Sequence, residues 1–111
     1  MLLTKALRTQ LRRNADVSAV KEQDHKPVVK FFTPDAQATW LFSELAADGD
    51  TLFGLCDLGH GEPELGYASL SEIQSIRGPL RLLVERDRSF RADRTLTAYA
   101  AEARNTRRIV A

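Results

Sequence analysis

Four short runs of β-branched, aromatic and aliphatic residues fill residues 28–68, and a turn signal closes each within a few positions. Val28-Val29-Lys30-Phe31-Phe32-Thr33 stops at Pro34-Asp35. Residues 38–46, with Thr39, Trp40, Leu41, Phe42 and Leu45, stop at Asp48-Gly49-Asp50. Thr51 to Leu58 stops at Gly59-His60-Gly61-Glu62-Pro63, and Glu64-Leu65-Gly66-Tyr67-Ala68 follows. Such runs are strands, and such punctuation is turn chemistry. The connections are too short for a crossover helix, so consecutive strands must pair antiparallel. Gly54 inside the third run marks a weak spot or a close backbone approach.

Helices flank this block. Leu3, Leu7 and Leu11 repeat at four-residue spacing and predict an amphipathic helix over residues 2–13. Residues 14–27 are polar and aperiodic, and read as a loop. Ser69-Leu70-Ser71-Glu72 is a capping box, so a short helix starts there and ends at Gly78-Pro79. Leu82, Leu83 and Val84 predict a fifth strand over Leu80 to Glu85. Residues 94–104, with Leu96, Tyr99, Ala100 and Ala103, predict a C-terminal helix, and 105–111 a loose basic tail. The fold class that follows is α+β: an antiparallel sheet of four to five strands in a meander, flanked by an N-terminal, a short central and a C-terminal helix. At 111 residues the chain is expected to be one domain, 1–104, plus its tail.

Charge is laid out in blocks. Residues 1–30 carry a net charge of +4, residues 31–76 carry −8 with no Lys or Arg, and residues 77–111 carry +5. Blocks of this kind either pair internally or set up fields that steer partners. No apolar run reaches the roughly 20 residues of a spanning helix, and charges interrupt the N-terminus where a signal peptide would need an apolar stretch. Cys56 is the single cysteine, which excludes an intramolecular disulfide and suits a reducing compartment. A cytoplasmic location is expected, with no membrane association.

Several short motifs occur in a defined order: Lys30-Phe31-Phe32-Thr33-Pro34-Asp35, Trp40, Asp50-Thr51-Leu52-Phe53-Gly54-Leu55, Glu64-Leu65-Gly66-Tyr67, Ser69-Leu70-Ser71-Glu72, Arg77-Gly78-Pro79-Leu80 and Glu85-Arg86-Asp87. Together they resemble an uncharacterised bacterial family, a domain of unknown function common on conjugative plasmids and integrative elements. The resemblance covers roughly residues 3 to 96. It implies a mobile-DNA setting and carries no activity, cofactor or catalytic residue with it.

Chemistry-bearing residues give three options. Asp57, His60, Glu62 and Glu64 fall within eight residues and combine carboxylates with an imidazole, a set that could shuttle a proton or hold a cation. They also make an ordinary polar hairpin, and neither His25 nor His60 sits in a nucleophile motif. Cys56, mid-strand, reads as a small buried hydrophobe. No metal or cofactor is expected, and the chain is expected to be non-enzymatic. The second option is protein binding: Glu44, Asp48, Asp50, Asp57, Glu62 and Glu64 would attract a basic partner surface, with Trp40 reading as a core residue or as an interface anchor. On this reading the chain inhibits a host defence nucleoprotein of the CRISPR or restriction type. The third is nucleic-acid binding through Arg77, Arg81, Arg86, Arg88, Arg91, Arg94 and Arg104, since guanidinium favours bidentate phosphate contacts. The expectation ranks protein binding first and a DNA-binding accessory role second.

Overall fold

The computed structural model describes residues 2–111. Helix α1 spans Lys5–Val20, strands β1 to β4 span Val29–Phe32, Thr39–Leu45, Thr51–Asp57 and Glu64–Ser69, helix α2 spans Leu70–Ser75, strand β5 spans Glu85–Arg86 and helix α3 spans Leu96–Thr106. The sheet order is β4-β3-β2-β1-β5 and every pairing is antiparallel. The four-strand meander and the three flanking helices are those expected from the sequence. β5 is the departure from a pure meander, because it returns to the free side of β1.

Both faces of the sheet are covered. Trp40, Phe42, Phe31, Val29, Leu45 and Leu52 point to one side, where Leu3 and Leu11 meet them. Leu41 and Leu55 point to the other, where Leu96, Tyr99, Ala100 and Ala103 of α3 close over them. The period-2 alternation of the strands thus feeds two cores. Each fully buried large apolar side chain contributes about 1.5–3 kcal/mol.

Three elements differ from the sequence expectation for visible reasons. The N-terminal helix starts at Lys5, capped by Thr4, whose hydroxyl accepts from the Leu7 N–H. It continues to Val20 through residues expected to form a loop. Polar contacts hold that extension, which an apolar period cannot reveal. The buried Asn14 side chain donates to the Ser43 carbonyl at 3.0 Å, and the Ser18 hydroxyl donates to Glu44 at 3.0 Å. Ser43 is the site of the register shift between Phe42 and Glu44, so Asn14 satisfies a carbonyl that the β2–β3 ladder leaves free.

The expected fifth strand over Leu80 to Glu85 is instead a tight hairpin followed by a two-residue strand. Arg77 bridges Leu83, the Gly78 N–H donates to the Leu82 carbonyl at 3.1 Å, and the Arg81 N–H donates to the Gly78 carbonyl at 2.8 Å. Pro79, Leu80 and Arg81 form its three-residue loop. Arg81 takes the left-handed conformation, φ 66°, that such loops require at their third position. A residue with a Cβ pays roughly 1–2 kcal/mol there. Gly78 does not terminate α2 by a positive φ, as its place after the capping box suggested. Its hydrogen faces the Asp35 carboxylate, and a Cβ would lie 1.8 Å from Oδ1.

The C-terminal segment is tied down. Arg107 turns the chain out of α3 in the left-handed region, Ile109 packs on the second core and its N–H donates to Asp57 at 3.1 Å. No described helix is long and apolar enough to cross a membrane.

Candidate functional site

The acidic residues serve mainly as local acceptors. Asp48 accepts from the N–H groups of Asp50 and Thr51 and from the Thr51 hydroxyl, at 2.9, 2.8 and 2.6 Å. The Thr51 hydroxyl, then the backbone donors, hold its carboxyl down to about 2. Asp50 accepts from the Ser69 hydroxyl and the Ser71 N–H, so it braces the start of α2, and these bonds lower its pKa. Asp57 is 4% exposed and spends one oxygen on the Gly59 N–H and the other on that of Ile109. Glu44 is half-buried against Ser18. Trp40, 3% exposed, is a core residue and not a surface anchor. Glu62 and Glu64 are exposed and, among the described residues, have no bonded partner. Glu62 precedes β4 and Glu64 opens it opposite Cys56 at one end of β3, while Asp48 and Asp50 lie before the other end, roughly 20 Å away along a seven-residue strand. The fold does not gather the acidic block into one patch.

The opposite charges do not meet in ion pairs either. The four pairs among the described residues are Arg12–Asp16, Lys30–Asp87, Arg94–Asp93 and Arg94–Glu102. None uses a carboxylate from residues 31–76. The arginines of the chain ends reach backbone instead: Arg8 donates to the Gly49 carbonyl, Arg12 to that of Leu45 and Arg86 to that of Leu2.

Side-chain sets that could support catalysis are otherwise engaged. Asp57 is committed as above, and His60 is exposed on a turn. No group of three or more metal-ligating residues assembles among the described residues. Burial pushes the Cys56 thiol up to about 11, the opposite of nucleophile activation. Ser18, His25 and Glu44 do come together, which their sequence positions gave no reason to expect. His25 Nε2 lies 3.1 Å from both the Ser18 hydroxyl and the Asn14 carbonyl. A carbonyl only accepts, so Nε2 carries the proton and cannot take one from Ser18. The set fastens α1 to β2 and is not arranged as a triad.

Arginines converge where acids do not. Arg8 of α1, Arg86 of β5 and Arg88 line one cavity of about 540 Å³, beside Leu83 and Val84 at the foot of the 77–83 hairpin. The same cavity holds one carboxylate, Glu85. Residues 8 and 86–88 thus bring the two basic ends of the chain together. Arg77 and Arg81 sit on the hairpin itself and have no side-chain hydrogen bond or ion pair among the described residues. Arg94 is taken up by Asp93 and Glu102 and lies 5.0 Å from the Tyr99 ring centroid, and these carboxylates raise its pKa. Arg91 donates to the carbonyls of Arg88 and Phe90. Arg104 is exposed on α3, apart from the others.

A family model described as "Protein of unknown function (DUF2958)" matches residues 2–110. The chain belongs to the DUF2958 family. No curated protein and no solved structure matches it.

In this DUF2958 chain, two of the motifs singled out in the sequence meet in space. Asp35, which ends Lys30-Phe31-Phe32-Thr33-Pro34-Asp35, accepts from the N–H groups of Leu80 and Leu82 at 2.6 and 3.4 Å. Its carboxylate fills the space left by Gly78 of Arg77-Gly78-Pro79-Leu80. Asp35 was legible as a turn residue only. Its partner lies 45 residues away, and no local pattern announces such a contact.

Proposed function

We propose that this chain is a non-enzymatic binding protein of a bacterial mobile element and that its partner is nucleic acid. The observation that carries this reading is the gathering of Arg8, Arg86 and Arg88 around one cavity, with Arg77 and Arg81 on the adjoining hairpin. Arg77, Arg81 and Arg88 have no bonded side-chain partner among the described residues, while Arg8 and Arg86 also donate to the Gly49 and Leu2 carbonyls; guanidinium groups so placed, offset nearby by Asp35, Glu85 and Asp87, suit a phosphate backbone. The motif resemblance supplies the mobile-DNA setting. The test is fluorescence anisotropy on duplex and single-stranded oligonucleotides across a salt series. If the three unbonded arginines, Arg77, Arg81 and Arg88, engage phosphates, the log–log slope on duplex is about −2.7, and Arg77→Ala or Arg88→Ala each lowers its size by about 1. Absence of salt-dependent binding to any duplex or single strand would refute the reading.

A second reading, docking on a basic protein such as a host defence nucleoprotein, has its own support. β4 is an edge strand, and no Lys or Arg occurs in residues 31–76. The Leu70 N–H donates to the Asp50 carbonyl, and alternation from that bond turns the backbone groups of Leu65 and Tyr67 outward. Tyr67 is 74% exposed beside them. A basic extended segment could add to this edge. The triple change Glu62→Lys, Glu64→Lys, Glu72→Lys spares the bonded Asp48 and Asp50. Recovery of the same protein partners by this variant and the unmodified chain would sink the second reading.

A further inference from the structure

The hairpin over residues 77–83 combines three properties. It is apolar at its tip and exposed: Leu80 is 75% accessible, and Leu82 and Leu83 are also open. It is held rigid: its own two cross-bonds are supplemented by the Asp35 carboxylate, which accepts from Leu80 and Leu82. And it carries two arginines, Arg77 at its foot and Arg81 in its loop, against the single carboxylate of Asp35.

Two costs accompany this arrangement. Arg81 occupies a left-handed position that glycine would fill without strain. Asp35 Oδ1 is buried with no hydrogen-bond partner among the described residues. Strain and an orphaned acceptor at one exposed element point to a functional constraint there.

We propose that this hairpin enters the minor groove of duplex DNA and sets Leu80 as a wedge at a base step. The inference rests on the nucleic-acid reading above and goes beyond it by naming groove, wedge and deformation. An apolar side chain flanked by arginines is the chemistry by which minor-groove proteins part a base step and bend the duplex. The narrow groove, about 6 Å wide, admits a tip such as Pro79-Leu80 and not a helix. Arg77 and Arg81 then lie along the groove walls, where A·T-rich sequence concentrates negative potential. Arg88, at the hairpin foot, then reaches a flanking phosphate, while Arg86 stays bonded to the Leu2 carbonyl. Asp35 is a positioning residue, since its carboxylate bonds to the hairpin backbone.

The clamp gives an unusual sign to one variant. Asp35→Ala removes a negative charge, which electrostatics alone would turn into tighter DNA binding. Pre-organisation predicts the reverse, a loss of about three- to tenfold. The experiment uses the full chain and a 30-base-pair duplex labelled at both ends for energy transfer, in an A·T-rich version with a central TA step and a G·C-rich version. Circular dichroism first verifies that each variant is folded. The expected result is a shortened end-to-end distance with the A·T-rich duplex, lost in Leu80→Ala while the salt slope stays unchanged. Salt-dependent binding without bending, or bending that survives Leu80→Ala and Leu80→Asp, overturns the wedge but leaves the nucleic-acid reading intact. Tighter binding by folded Asp35→Ala overturns the clamp. Binding to vesicles of anionic phospholipid and not to duplex overturns both readings together.

Discussion

Gly54 and Gly66 face each other across β3 and β4, yet one side of that pair has no room and the other has ample space. A Cβ built on Gly54 falls 1.9 Å from the Leu41 carbonyl oxygen and 2.8 Å from the Phe42 Cα. Both contacts are backbone, so no rotamer change relieves them. β2 would have to retreat by more than about 1 Å from β3, at the position where Ser43 already breaks their register. Overpacking typically costs about 1–3 kcal/mol, and a clash with central-strand backbone belongs at the upper end or beyond. At about 4 °C per kcal/mol for a domain near 100 residues, Gly54→Ala lowers Tm by about 12 °C or more. Gly66→Ala is the matched control, because its Cβ meets nothing within 4 Å. Removing a glycine from a strand interior there is worth about 0.5–1 kcal/mol, a rise of roughly 2–4 °C. Thermal melts followed by circular dichroism measure both. If Gly54→Ala melts within about 3 °C of the unmodified chain, the close approach of β2 and β3 is not real.

Three further outcomes are expected. Asp48 has a folded-state pKa near 2 against an ordinary 3.8, so its contribution is complete above about pH 5 and is lost as pH falls toward 2; Asp48→Asn flattens that limb of a pH–Tm curve, and an unchanged limb refutes the assignment. Cys56, with its thiol raised to about 11, reacts with iodoacetamide at pH 8 far more slowly in the folded chain than in urea, as quantified by mass spectrometry. Asn14→Ala strands the Ser43 carbonyl and costs about 1–3 kcal/mol, read as a lower urea midpoint with unchanged m.

Legibility in the sequence followed the range of the interaction involved. The meander was readable because strand runs and turn residues are neighbours, and Asp48-Gly49-Asp50 and Ser69-Leu70-Ser71-Glu72 act within a few positions. Gly54 was legible as a close approach because a glycine inside a strand needs a reason. The second half of α1 was hidden, since Asn14 and Ser18 stabilise it through β2 rather than through an apolar stripe. A strand was expected over Leu80 to Glu85 because Leu82, Leu83 and Val84 look like a buried run; only Val84 is buried, while Arg81 in the left-handed region and Asp35 from another loop keep Leu82 and Leu83 at the surface. Trp40 illustrates the candidate site: its type allowed anchor or core, and only the sheet assigned it to the core. The acidic block was visible as composition, but its division between the two ends of β3 depends on which hairpin carries which carboxylate.

The placement of β5 has a consequence for the order in which the molecule assembles. β1 to β4 pair with sequence neighbours, so that sheet can form from contacts of short loop-closure cost. β5 contributes only two residues and meets β1 across 55 positions, through Phe31 and Arg86. The hairpin is fastened to Asp35 across a comparable span. These connections close last, after the four-strand sheet is in place. Amide exchange should divide along that line, with Leu41 and Leu55 protected to the level of global unfolding and Leu80 and Leu82 exchanging through a smaller opening that first breaks the Asp35 bonds. The arginine-bearing segment is thus set in place by the contacts that folding makes last.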